Sequence, residues 1–288
     1  MAAEPIRSTR APASPSVVRA ASLDRTHHRS FLADVVIEHG PRDVLGRLFP
    51  LADTRLREKG IFLSLAHCDE LVAVNRANSD SWSPILPQFN PEVSDVGQRN
   101  CIALVGRNSA GRIVLAHASR HYPIGDTLLK DEIESLRLFY RDPERSAWPG
   151  ERLVCTAPIA GRSTGNFVFT GALWLHPEYR GNGLTYSMMN IWRGLALTRW
   201  MPGMIFSFMV PELVAAGLAA GAHMDVDWEV TMINTPVKRG GTIHAGLNWT
   251  TPQRQLDGIA AWVADNSARR DPQIDSVINN RPRNKRGV

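Results

Sequence analysis

The chain has 288 residues, of which 43% are hydrophobic, and a formal net charge of +5. That supplies apolar material for a full core, and no apolar run approaches the ~20 residues of a membrane helix. Three cysteines, Cys68, Cys101 and Cys155, lie far apart in no CxxC or Cys/His spacing, which argues against a disulfide framework or metal site and fits a reducing cytoplasm.

The charge sits at the ends. Residues 1–30 carry +3 and residues 279–288 carry +4, leaving −2 for the body between them. The folded part is therefore no basic nucleic-acid binder, and only the ends offer charge to RNA, DNA or an anionic surface. The first stretch is rich in Pro, Ser, Ala and Arg without apolar periodicity, so a disordered tail is expected over 1–30. A domain over 31–270 and a basic tail over 271–288 follow.

In chain order, 60–66 (GIFLSLA) predicts a strand, and Asp69 to Asn78 a short helix with Asp69 as its cap. CIALVGR and RIVLAHASR flank Asn108 to Gly111 and predict a hairpin. Thr127 to Asp142 predicts one helix, capped by Thr127, with Lys130 and Glu134 paired across a turn. RLVCTAPIA and FVFTGALWL around 161–166 predict a second hairpin. A helix over Asn182 to Arg199, a strand over MIFSFMV, a helix over Pro211 to Ala220, a strand over Asp227 to Ile233 and a helix near Gln253 to Ala264 complete the reading. The fold class is α+β: one domain, a mixed central sheet and flanking helices.

One segment carries chemistry. In GALWLHPEYRGNGLTYSMMNIWRGLALTRW a strand ends at Leu175, a tight loop turns, and a helix starts near Gly183. Such a turn brings free backbone N–H groups and the positive end of a helix dipole to one point, an anion site suited to a pyrophosphate, with Arg180 beside it. Gly161 to Gly165 matches GxSxG, but the β-branched and aromatic run after it assigns it to a turn between strands, not a nucleophile elbow. Walker A, GxGxxG and HExxH are absent.

HPEYRGNGL resembles motif A of the GNAT superfamily of N-acetyltransferases, with Arg180, Gly183 and Leu184 matching and Thr185 where Gly or Ala is usual. The resemblance extends to element order: a hairpin and a further strand before the motif, its helix after it, then a strand and short helix that splay open. It implies a GNAT-like sheet and an enzyme that transfers an acyl group from acetyl-CoA, or another acyl-CoA, to a small-molecule or peptide amine without a metal. It further implies that Arg180, Gly181, Asn182, Gly183, Leu184 and Thr185 hold the coenzyme pyrophosphate, and that Ala172, Leu173, Trp174 and Leu175 pair with the pantetheine arm. The acceptor amine attacks the thioester directly.

Residues 211–223 contain no Tyr to serve as the acid, and 167–175 contain no acidic base. His223, His117 and His121 are the candidates that remain, each set against an ordinary structural histidine. Two other readings share the motif: a longer-chain acyltransferase fed by acyl-CoA or an acyl carrier protein, and a non-catalytic acyl-CoA sensor.

Overall fold

The computed structural model describes residues 30–181 and 183–268. The expected tails therefore lie outside the described residues, apart from Ser30. Eight strands form one mixed sheet: β1 (Phe62–Ala66), β2 (Cys101–Arg107), β3 (Ile113–Gly125), β4 (Arg152–Cys155), β5 (Gly165–Leu175), β6 (Met204–Met209), β7 (Asp225–Ile233) and β8 (Thr242–Thr250). Their spatial order is β1-β2-β3-β5-β6-β8-β7-β4, antiparallel throughout except for β5 and β6. The helices are α1 (Arg42–Glu58), α2 (Cys68–Ala77), α3 (Leu129–Glu134), α4 (Pro143–Ser146), α5 (Leu184–Trp200), α6 (Pro211–Ala215), α7 (Leu218–Gly221) and α8 (Pro252–Ala268). No helix among the described residues is long and apolar enough to cross a membrane.

Both sheet faces are covered, so the central strands are apolar on both sides instead of alternating. In β2, Cys101 and Ala103 join a core shared with Phe89, Phe139, Phe167, Phe169 and Phe206. Ile102 and Leu104 join another with Leu48, Phe49, Met188, Ile191 and Ile259 from α1, α5 and α8. Arg42–Glu58, for which the sequence reading assigns no element, is a helix despite Gly46 and Pro50. Leu45, Leu48, Phe49, Ala52 and Leu56 recur on one face, and their burial against α5 and α8 outweighs the local cost.

The hairpin at Asn108 to Gly111 is present as β2–β3. The second predicted hairpin is not. β5 is an interior strand flanked by β3 and β6, which leaves no edge for 152–160, and β4 pairs with β7 at the far end of the sheet. Pro158 lacks an N–H for a ladder, and the chain turns through a short 3-10 segment, Ala160–Arg162, so Ser163 precedes a strand and is no elbow. The helix expected over 127–142 is cut to six residues. It starts after Leu128 rather than at a Thr127 cap, and Leu136 turns into the left-handed region at φ 63°, carrying Leu138 and Phe139 into the core. The Lys130–Glu134 pair does form, at 3.9 Å. His67 rather than Asp69 occupies the N-cap position of α2, with no side-chain capping hydrogen bond, and the helix expected over 211–220 is broken at Gly217 into α6 and α7. β8 has no counterpart in the sequence reading.

Candidate functional site

β5 and β6 pair only through Phe167↔Met204, Val168↔Ile205 and Phe169↔Phe206. Beyond these, β5 stays with β3 as far as Leu175, and β6 stays with β8 as far as Met209. The two strands therefore part into a wedge whose inner edges, 170–175 and 207–209, have no ladder partner there.

A β-bulge accompanies the parting. Ala116 pairs with Trp174 and Ala118 with Gly171, so Ala172 and Leu173 together oppose His117, and Ala172 takes φ 52°. Such a bulge adds local twist and re-aims the strand. At the mouth of the wedge, Pro177–Tyr179 forms a single tight turn in which His176 Nδ1 accepts the Glu178 N–H at 3.4 Å. Gly181 and Gly183 follow with φ 77° and 69°, conformations that L side chains rarely adopt, and α5 begins at once. No side chain caps that helix at Gly183, so its first-turn N–H groups and dipole end are presented at the wedge.

The wedge holds a cavity of about 410 Å³. One wall is the outer part of β5 with Arg180 and Gly181; another is α5 through Leu184, Thr185, Met188 and Trp192; the third is β6 and the α6–α7 segment, reaching Met224. Arg180 is held at the rim by two carbonyls, donating Nε to Leu175 O (2.9 Å) and Nη2 to Ser81 O (3.1 Å). Apart from Arg180, Thr185 and the Trp192 indole, the side chains lining the cavity with polar groups are His117, Thr170 and Ser207.

His117 is 2% exposed, stacks on Trp192 at 5.0 Å and 9°, and meets Thr170 Oγ1 through Nε2 at 2.8 Å. Burial, helped by the nearby Arg193 guanidinium, lowers its pKa to about 3, so it is neutral near pH 7. It is thus a hydrogen-bonding group rather than a charge. Ser207, 5% exposed, has no hydrogen-bond partner for Oγ among the described residues. Arg193, 1% exposed, has none for its three nitrogens, and burial lowers its pKa to about 9.

Of the ten residues singled out for the coenzyme, Ala172, Leu173, Leu175, Arg180, Gly181, Leu184 and Thr185 line this cavity. Gly183 supplies the turn. Trp174 is instead packed on the other face, stacked on Trp82 at 5.3 Å with Nε1 donating to Ser81 Oγ, and Asn182 lies outside the described residues. Of the three candidate histidines only His117 reaches the cavity. His121 stacks on Trp200 and bonds Asn166, while His223, at the end of α7, lies against Gly258 of α8; burial lowers the pKa of both. Thr170, Ser207 and Trp192 escaped the sequence reading as polar or stacking groups of the site. Nothing in a strand pattern marks a hydroxyl that faces a gap between strands. Among the described residues no group of three or more His, Cys, Asp or Glu is placed to hold a metal ion.

No protein-family model and no curated protein matches the chain. Several solved structures are similar to it. Spermidine N-acetyltransferase from Vibrio cholerae aligns with a TM-score of 0.41 and 9% identity over 69% of this chain and 98% of its own. FeeM, an N-acyl amino acid synthase from uncultured soil microbes, gives 0.41 and 7% over 68% and 92%. Arabidopsis thaliana NAA60 in complex with acetyl-CoA gives 0.43 and 11% over 67% and 99%.

Proposed function

We propose that this chain is a GNAT-type N-acyltransferase that moves an acetyl group from acetyl-CoA to an amine, with 31–270 as the working domain. The observation that carries the reading is the wedge itself: two parallel strands part beside the uncapped start of α5, with a cavity between them. The shape and chemistry suit an extended thioester with an anionic end. The pyrophosphate would rest on the N–H groups from Gly181 to Thr185, since the Arg180 N–H already donates to Pro177 O at 3.2 Å. The pantetheine amides would take the ladder positions that β5 leaves open at 172–175, and Leu173 and Leu213, exposed at 36% and 44%, would be covered.

The thioester would then lie near the point where β5 and β6 meet, beside Thr170 and Ser207. A neutral amine attacks its carbonyl carbon, the C–S bond breaks, and the leaving thiolate takes a proton. Ser207 is the unpaired hydroxyl available to pass it on, donating its own proton to the thiolate and taking the one that the attacking nitrogen sheds as the amide forms, while His117 holds Thr170 on the opposite strand. Burial and the Arg193 charge hold His117 neutral with a pKa of about 3, which makes it a poor base for an ammonium group, and in this reading water takes that proton.

A second reading, transfer of a longer acyl chain from acyl-CoA or an acyl carrier protein, is favoured by the apolar part of the cavity formed by Met188, Met189, Trp192 and Met224. A scan of donors by chain length separates it from acetyl transfer.

Calorimetric titration of acetyl-CoA into wild type and Thr185→Glu tests the site. A carboxylate in the first turn favours the helix but repels a pyrophosphate. Wild type should bind, and the variant should bind at least about tenfold more weakly, roughly 1.4 kcal/mol, while melting no lower. Folded wild type that binds neither acetyl-CoA nor longer acyl-CoA would remove the proposal.

A further inference from the structure

Cys68 and Cys101 are 33 positions apart in the sequence, yet the fold brings their sulfurs to 2.9 Å. The chain leaves β1 at Ala66 and enters α2 at Cys68, while Cys101 is the first residue of the neighbouring strand, β2. Both are free and buried, at 6% and 5% exposure. A hollow of about 80 Å³, edged by His67, Asp69, Gly97 and Gln98, reaches both. That is room for a molecule of a few atoms and not for a peptide thiol.

We propose that Cys68 and Cys101 form an oxidisable dithiol that hydrogen peroxide converts reversibly to a disulfide. Cys68 lies in the first turn of α2, where free N–H groups favour a thiolate. Its thiol is held below the usual range by the Cys101 S–H and by the charge of Arg120, which pairs with Cys101 across β2–β3. The neighbouring sulfur and burial hold Cys101 well above that range, and the place of Cys68 at the start of α2 makes it the sulfur that reacts first. Its thiolate attacks the O–O bond, and the departing hydroxide takes up the proton that the Cys68 thiol released, giving a sulfenic acid and one water. The Cys101 sulfur then displaces the hydroxyl, which leaves as a second water with the Cys101 proton. Two thiols and one peroxide become one disulfide and two waters. A disulfide needs sulfurs about 2.05 Å apart, so closure asks for a shift of under about 1 Å.

The ring so closed contains Ser81 and Trp82. Ser81 O accepts from Arg180, and Trp82 stacks on Trp174, so the disulfide would tie down the segment that props the turn before α5. The Cys68–Cys101 pair lies outside the wedge, and its oxidation does not depend on a coenzyme there.

The test uses the full chain, reduced and then treated with stoichiometric hydrogen peroxide. Thiols are counted after denaturation, and peptides are mapped by mass. The expected result is one remaining thiol, on Cys155, a Cys68–Cys101 cross-linked peptide lighter by two hydrogens, and a raised Tm, all reversed by dithiothreitol. In Cys101→Ser, a sulfenic acid trapped by dimedone on Cys68 is expected. Survival of all three thiols in wild type, preferential oxidation of Cys155, or direct passage of Cys68 to sulfinic acid would overturn the proposal.

Discussion

Lowering the pH from about 7.5 to about 5.5 protonates histidines of the unfolded chain but leaves His117 neutral in the fold. Its folded pKa, about 3, lies below the ordinary 6.5 because of burial and the Arg193 charge. The sign follows: the unfolded state binds the extra proton, so the contribution of His117 is complete above about pH 6.5 and is lost as pH falls toward about 3. One unit below 6.5 the loss is about 1.4 kcal/mol, and over the full 3.5 units it approaches about 5 kcal/mol, a large part of a typical domain's stability. Urea unfolding of wild type and His117→Gln at the two pH values isolates the effect, because Gln keeps a group for Thr170 and does not titrate. Other groups cancel between the two proteins, including His121 and His223, whose lowered pKa values act with the same sign. Wild type should lose about 1.4 kcal/mol more than the variant on acidification. Equal losses would show that His117 is not held neutral by its surroundings and would sink the argument.

Phe206 is fully buried and edge-on to both Phe167 and Phe169 at the root of the wedge. Phe206→Ala should cost about 3–5 kcal/mol in urea unfolding, and a cost below about 1 kcal/mol would mean this core collapses freely. Ser207→Ala should leave folding nearly unchanged, since its hydroxyl has no partner to lose. In a steady-state assay the same change should cut kcat about tenfold to a hundredfold with little change in KM; an unchanged kcat would exclude Ser207 as the proton donor.

The sequence was most legible where a signal is local. The Asn108 to Gly111 turn joins the strands on either side of it, and the Pro177 to Gly183 loop ends one element and starts another. It was least legible where long-range burial decides. Pro50 and Gly46 argue against a helix that α1 nevertheless forms, because its partners on α5 and α8 are more than a hundred residues away. The false hairpin had the same origin: two strands near in sequence suggest pairing, but β5 already had a neighbour on each side. The turn and helix start that edge the candidate site could be read because helix starts have a residue pattern. The floor could not, because Thr170, Ser207 and His117 converge from three strands only once the register is set.

The excursion that places β4 at the far edge also shapes how the molecule comes apart. After β3 the chain crosses the face opposite α1, α5 and α8, pairs with β7, and returns to form β5, whose first residue lies beside the last residue of β3. Neither half of the parted sheet is thus built from one continuous stretch of chain. The half ending in β7 and β4 cannot assemble until residues on both sides of β5 in the sequence are in place, and the crossing segment belts the seam where only three residue pairs join β5 to β6. A sheet parted at its centre is thereby kept from behaving as two folding units, and heat or urea should undo it in a single cooperative step.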